Sequence, residues 1–334
     1  MMAEAEYDVL TIGNAIVDVL AHAEEDFLVQ ENLVKGSMRL IDEVEAGRLF
    51  DRMGTTQLIS GGCAGNSAAG VASYGGRAAF IGKVADDELG RFFRHDMNAL
   101  GIAFPTAPVS EGTPTARSMI LITPDGERTM NTNLAACQEL TPEDIDRATV
   151  EGASVTYLEG YLWDPPKAKE AFRTAASIAH DAGRKVAMTL SDSFCVDRFR
   201  DEFLELMRTG QVDIIFANRH ELLSLYQTSD FETGVGLIRE DVPLAAITMS
   251  EEGSLVVTRG ESVAVPAAKV EQITDLTGAG DLYAAGFLFG YARNYPHDVC
   301  GRLGSLAAAE VIGHVGARPV DSLKQLASQA GLAV

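Results

Sequence analysis

The residues with the most chemistry in them are Asp275-Leu276-Thr277-Gly278-Ala279-Gly280-Asp281, just ahead of the apolar run Leu282–Ala292. A run that is apolar almost all round reads as a buried helix. Gly-Ala-Gly before it lets main-chain N–H groups converge where that helix begins. Unpaired donors and the positive end of the helix dipole bind anions at such a point. A carboxylate at Asp281 beside that pocket can take a proton from a hydroxyl while Gly278, Ala279 and Gly280 hold charge developing on a phosphoryl group. The plain alternative is an Asp capping a helix after a glycine turn; the flanking Asp275 and Thr277 count against it.

Three further constellations carry weaker signals. In Gly61-Gly62-Cys63-Ala64-Gly65-Asn66 the paired glycines suit a hinge and the close approach of a ligand, and Asn66 opens a small-residue helix with both a donor and an acceptor. A tight turn with an Asn cap explains the same residues. Asn14 and Asp18 follow the first apolar strand, where ligands lie in open α/β sheets; a carboxylate there can accept from two adjacent sugar hydroxyls, or it can cap. Asn218 and Glu221 share a helix face, which suits hydrated Mg²⁺ or a capped helix start. Other phosphate motifs fail: Gly82-Lys83 lacks the first glycine (Arg77) and the hydroxyl (Val84) of a P-loop, and Gly13-Asn14-Ala15-Ile16 has no GxGxxG.

The elements that must position these residues alternate. Candidate strands are Tyr7–Ile12, Ala78–Val84, Ser154–Leu158, Lys185–Leu190, Val212–Ala217 and Leu244–Met249. Several are continuous apolar runs, as in strands covered on both faces. Helical segments fall between them, among them Asp86–Leu100, a start at Thr141-Pro142, and Pro166–Ala182. That rhythm predicts an α/β fold with a doubly wound, mostly parallel sheet. Ile16–Ile41 and Thr113–Asn133 break it. Pro124-Asp125-Gly126 between two extended runs is a hairpin turn, and with Gly36–Ile41 it predicts a small second sheet lying over the first as a lid. A second hairpin spans Ser254–Thr258 and Ser262–Val265.

Composition sets outer limits. The chain has 334 residues, 46% of them hydrophobic and 22% charged, a globular balance, with a formal net charge of −21. That charge excludes a generally basic nucleic-acid surface but not a local site for a small phosphate compound. No apolar run reaches the roughly 18 residues of a membrane helix. The acidic start Met1–Glu6 does not read as a signal peptide. Cys63, Cys137, Cys195 and Cys300 are widely spaced, which predicts buried thiols and a cytoplasmic protein.

Together these residues resemble the ribokinase-like (PfkB) family of carbohydrate and nucleoside kinases, and the similarity runs over nearly the whole chain. Asp275–Asp281 is similar to the family's C-terminal signature, with Leu276 where Thr is more usual. Gly61–Asn66 is similar to the N-terminal signature, and Asn218–Glu221 to the family's Asn-x-x-Glu motif. Gly13-Asn14-Ala-Ile-Val-Asp18 and the Asn133-Leu-Ala-Ala136 run most resemble adenosine kinases. The resemblance implies one ribokinase-like domain over residues 1–334, with a lid from about 16–41 and 104–133. It implies transfer of the γ-phosphoryl of ATP to a primary hydroxyl of a nucleoside, or else of a free sugar such as ribose, fructose or a keto-deoxy sugar acid. Asp281 would be the base and Gly278-Ala279-Gly280 the anion hole. Asn14, Asp18, Gly62, Cys63 and Asn66 would hold the sugar, and Arg128 would reach from the lid toward the phosphates. Asn218 and Glu221 would organise Mg²⁺ and the nucleotide. Thr248 and Gly253 would lie beside the nucleotide, within a family Thr-x-Gly-x-x-Gly stretch whose middle Gly is Ser250 here. Asp275, Thr277, Val311, His314 and Gly316 match positions that bind a monovalent cation, K⁺, in some members. Expected partners are the small-molecule substrate and ATP, with no nucleic acid or membrane; the chain would be a monomer or homodimer. A dehydrogenase on a doubly wound sheet lacks its glycine fingerprint, and a pure binder on this fold needs no base at Asp281.

Overall fold

The computed structural model describes residues 5–332 and 334. Its frame is an eight-stranded sheet built from β1 (Tyr7–Ile12), β5 (Ala78–Ile81), β8 (Ala153–Glu159), β9 (Lys185–Thr189), β10 (Ile214–Asn218), β11 (Leu244–Thr248), β12 (Ser254–Thr258) and β13 (Ser262–Val265). The spatial order is β13-β12-β11-β10-β9-β8-β1-β5, parallel except for the β12/β13 hairpin at one edge. Apolar runs such as Ala78–Ile81 are buried throughout because helices cover both faces. One core joins Val9, Tyr157 and Phe216 to helices Cys63–Ser73, Glu88–Ala99 and Ala279–Ala292. The other joins Leu10, Ile12 and Leu158 to helices Pro166–Asp181 and Ser193–Arg208. Every residue from Leu282 to Gly290 is buried, as the apolar run requires. Its large apolar side chains each contribute about 1.5–3 kcal/mol of transfer energy.

A second sheet has the order β3-β7-β6-β2-β4, with β2 (Ile16–His22), β3 (Met38–Leu40), β4 (Gln57–Ser60), β6 (Ala116–Ile122) and β7 (Arg128–Asn133). The hairpin β6/β7 turns at Pro124–Gly126 as expected, and helix Glu43–Arg52 backs the sheet through Ala46 and Leu49. Three expectations need correction. β4 belongs to the small sheet although it lies outside both expected lid segments. Residues 104–115 add no strand to the lid: Val109 bridges Ala85 and the neighbouring Ala103 bridges Ala79, so this stretch follows the main sheet's edge. The helix expected at Thr141 is a single 3-10 turn, Pro142–Asp144, closed by a capping box.

The strand order reverses around β1, flanked by β5 on one side and β8 on the other. Ligands in doubly wound sheets lie beyond the carboxyl ends at such a switch point. Only Gly13–Ala15 separate β1 from β2, so the small sheet grows directly out of that end.

Candidate active site

Helices Cys63–Ser73 and Ala279–Ala292 begin side by side. Gly278 takes φ 81°, and a Cβ there would sit 2.8 Å from Ala317, so glycine is required twice over. Asp281 is the third residue of its helix, two positions further in than the sequence suggests. No side chain caps this helix. The Gly280 and Asp281 amides therefore lack intrahelical partners, and space beside Gly280 is open. The Asp281 carboxylate accepts from Asn66 Nδ2 at 3.0 Å, and its carbonyl accepts from Ser67 Oγ at 3.0 Å. Burial pushes its pKa up, and the neighbouring Asn66 amide and Cys63 thiol oppose that. This is the arrangement of a base: a carboxylate held by donors next to free main-chain amides.

At the other helix, Gly62 takes φ 82°, and a Cβ would lie 2.1 Å from the Asn14 carbonyl oxygen. Glu159, the last residue of β8, does what Gly62 cannot. It accepts from the Ala64 N–H at 2.9 Å, the Asn14 N–H at 3.2 Å and Asn14 Nδ2 at 2.6 Å. It is fully buried, and burial pushes it up to about 7 against those bonds. Sequence reasoning missed Glu159. The available signal was a carboxylate closing an apolar strand at the ligand end of the sheet.

Asp18 on β2 lies against Gly61, where a Cβ would be 2.5 Å from Oδ2. No described group donates to its carboxylate. Burial raises it to about 7, while Arg128 and Arg318 lower it and Asp275 raises it further. Asn14 Oδ1 and Asn66 Oδ1 are buried without partners. Two amide oxygens and a carboxylate thus lie around the start of helix Cys63–Ser73 with acceptor capacity unspent, a set suited to hydroxyl groups. Arg128 pairs with Asp275 at 2.8 Å, tying the small sheet to the loop before helix Ala279–Ala292.

The remaining expected residues divide. Asn218 and Thr248 are register partners at the ends of β10 and β11. Asn218 and Glu221 form a reciprocal capping box: Glu221 accepts from the Asn218 N–H at 3.0 Å and Nδ2 at 2.5 Å, and Asn218 Oδ1 accepts from the Glu221 N–H at 2.9 Å. Glu221 is buried and pushed up to about 7 by that burial. Both side chains are spent on each other, so they do not fit direct ligation of a metal. Among the described residues no group of three or more His, Cys, Asp or Glu side chains could hold one. Gly253 takes φ 93°, and Ser250 takes φ 53°, the left-handed region that glycine enters freely.

Asp275, Thr277 and Gly316 converge: Oδ1 accepts from the Thr277 hydroxyl at 2.7 Å and Oδ2 from the Gly316 N–H at 3.0 Å. Arg128 already neutralises Asp275. His314 contacts Glu310 and the Val315 carbonyl, and the Val311 side chain lies in the core. Val311 and Gly316 could offer a monovalent cation only their main-chain carbonyls, and the one carboxylate of the set, Asp275, is already paired with Arg128. The four thiols are free, Cys63 partly exposed and the others buried. No described helix is long and apolar enough to cross a membrane.

The pfkB family of carbohydrate kinases matches residues 29–323. The structure of an adenosine kinase from Sinorhizobium meliloti is 59% identical, with TM-score 0.91, covering 98% of this chain and 100% of that one. A probable sugar kinase from Rhizobium etli is 53% identical, with TM-score 0.93 and the same coverage. A 5-dehydro-2-deoxygluconokinase from Shouchella clausii is 25% identical over 331 residues, 96% of this chain and 94% of that protein.

Proposed function

The chain belongs to the pfkB family of carbohydrate kinases, phosphotransferases with an alcohol acceptor, and we propose that its acceptor is a nucleoside of the adenosine kind, phosphorylated by ATP on its primary hydroxyl. The observation that carries the chemistry is the Asp281 carboxylate beside the uncapped amides of Gly280 and Asp281. Asp281 takes the hydroxyl proton, the oxygen bonds to the γ-phosphorus, and the bond to the β-γ bridging oxygen breaks, its electron pair leaving with ADP. The amides hold charge on the transferring group. Asp18, Asn14 and Asn66 accept from the sugar hydroxyls, with Gly62 and Cys63 forming the wall beside them. Arg128 stands where the lid meets the Asp275 loop and donates to phosphate oxygens as the lid closes over the acceptor and excludes water.

Asn218, Thr248 and Gly253 line the nucleotide side. Mg²⁺, carried by the nucleotide, supplies charge neutralisation, while the Asn218–Glu221 box fixes the helix start beneath it. With a net charge of −21, binding ATP depends on these local positive sites.

The nucleoside reading is supported by 59% identity over 98% of the chain to an adenosine kinase. A free sugar or sugar acid is the second reading, favoured by the probable sugar kinase at 53% and the deoxygluconokinase. ATP-consumption assays with adenosine, inosine, ribose, fructose and 5-dehydro-2-deoxygluconate decide between them. The proposal expects kcat/KM for adenosine to exceed every sugar by at least roughly tenfold; a sugar turned over best replaces it with the second reading.

A further inference from the structure

One buried carboxylate draws together both ends of the turn on which Gly278 is seated. Residues 313–321 lie between helices His297–Val311 and Leu323–Gln329 and are neither helix nor strand. The loop before helix Ala279–Ala292 hangs on this turn. The Thr274 N–H donates to the Ile312 carbonyl at 2.8 Å, and the Thr274 hydroxyl to the Gly313 carbonyl at 3.0 Å. The Gly316 N–H donates to Asp275 at 3.0 Å, and Ala317 fills the space that a Cβ on Gly278 would need. The turn does not hold itself in that shape. Among the described residues no main-chain hydrogen bond joins two residues of 314–321, and Val315 and Val320 are exposed.

Glu310, in the last turn of helix His297–Val311, supplies the closure. Its Oε1 accepts from the Val320 and Asp321 N–H groups, both at 2.8 Å, and meets His314 Nε2 at 3.3 Å. His314 lies at the start of the turn and Val320 and Asp321 at its end, so a single oxygen gathers both. The Glu310 side chain is 5% exposed, and Oε2 is buried without a partner. Burying a carboxylate with one oxygen unpaired destabilises a fold, and an apolar side chain of similar size avoids that loss. What an apolar side chain lacks is an oxygen for the two N–H groups.

We propose that Glu310 is a positioning residue of the anion site, acting through the 313–321 turn. It holds the turn closed; the turn keeps Gly316 on Asp275 and Ala317 against Gly278, and the amides of Gly280 and Asp281 keep their aim. The inference rests on the reading of those amides as the donors that hold charge on the transferring phosphoryl group. Misplacing a reacting constellation by about 1 Å costs roughly a hundredfold in rate, so a contact remote from the chemistry is felt there. The acceptor contacts Asn14 and Asp18 lie at the end of β1 and on β2, away from this turn.

The test is steady-state kinetics of the full chain with the best acceptor of the panel, for wild type, Glu310→Met and Glu310→Gln, below the onset of unfolding of each. The Met variant is expected to lower kcat by roughly ten- to a hundredfold with the acceptor KM little changed. The Gln variant keeps an oxygen of the same reach for the two N–H groups and should return kcat toward wild type. In a Gly278→Ala background, where the amides are already displaced, Glu310→Met should lower kcat no further. If Glu310→Met does not fold, Glu310→Asp, which ends one methylene short of the turn, takes its place in the comparison. An unchanged kcat beneath a lowered melting temperature, a loss carried by the acceptor KM, a Gln variant as impaired as the Met one, or a full additive loss on top of Gly278→Ala overturns the proposal. Any of these in an enzyme whose wild type turns over the acceptor sinks Glu310 alone. A wild type that turns over nothing in the panel sinks the functional reading and this inference with it.

Discussion

Both helices that meet at the site begin after a glycine of positive φ, Gly62 at 82° and Gly278 at 81°, and neither glycine has a side chain to cap the first turn. At the first, Glu159 reaches in from β8 and accepts the Ala64 N–H. At the second, no described side chain does so. The same local geometry therefore has two outcomes, decided by whether the neighbouring strand ends in a carboxylate. The capped end is a fixed post: Glu159 also pins Asn14, so the end of β1 and the start of the Cys63–Ser73 helix move as one. The uncapped end leaves its donors free, the kind of point that binds anions, with Asp281 beside them.

The comparison breaks first at Gly278. Gly278→Ala forces a side chain onto φ 81° and against Ala317, so the amides shift; kcat is expected to fall by roughly 10²–10³, read in a saturating assay beside the nucleotide Kd. Glu159→Ala strips the other end, leaving three buried donors on Asn14 and Ala64 unpaired. It should cost about 3 kcal/mol in denaturant unfolding and raise the acceptor KM. A loss confined to kcat, with stability intact, would make Glu159 something other than a post. Asp18→Ala should raise the acceptor KM by roughly ten- to a hundredfold, the worth of one or two hydrogen bonds to a charged group, with a smaller change in kcat; an unchanged KM removes Asp18 from the acceptor.

The smallest effect is pH, and it sharpens the contrast. Burial raises Asp18, Glu159 and Glu221 to about 7 from their ordinary 3.8, 4.5 and 4.5. The folded state then binds more protons than the unfolded chain between those values. Their contribution to stability is fully present below the ordinary carboxylate range and is lost as pH rises through about 7. Activity runs the other way, since Asp281 must be ionised to accept a proton and Asp18 must be charged. From about pH 6 to 8 the melting temperature should fall while kcat/KM climbs; the two rising together would contradict these assignments.

Much of the frame could be read from the chain. Tyr7–Ile12 and the Ser254–Thr258/Ser262–Val265 hairpin have the expected bounds, because apolar β-branched runs between turn residues leave little choice. The Asp275–Asp281 stretch announces its turn through glycine spacing. Glu159 was hidden because its partner Asn14 lies 145 residues away and a lone Glu after a strand has no local pattern. β4 escaped because Gln57–Ser60 is four residues long, and its first two are exposed at a sheet edge. At Asn218 and Glu221 the helix-cap alternative describes their geometry, since the spacing of a capping box and that of two water-holding groups are identical.

The account turns on Asp281 acting as the base beside free amides. The direct measurement is kcat for Asp281→Asn, with the nucleotide Kd measured in parallel. A drop of roughly 10²–10⁴ in kcat with the nucleotide still bound is the predicted result; turnover close to wild type would contradict it.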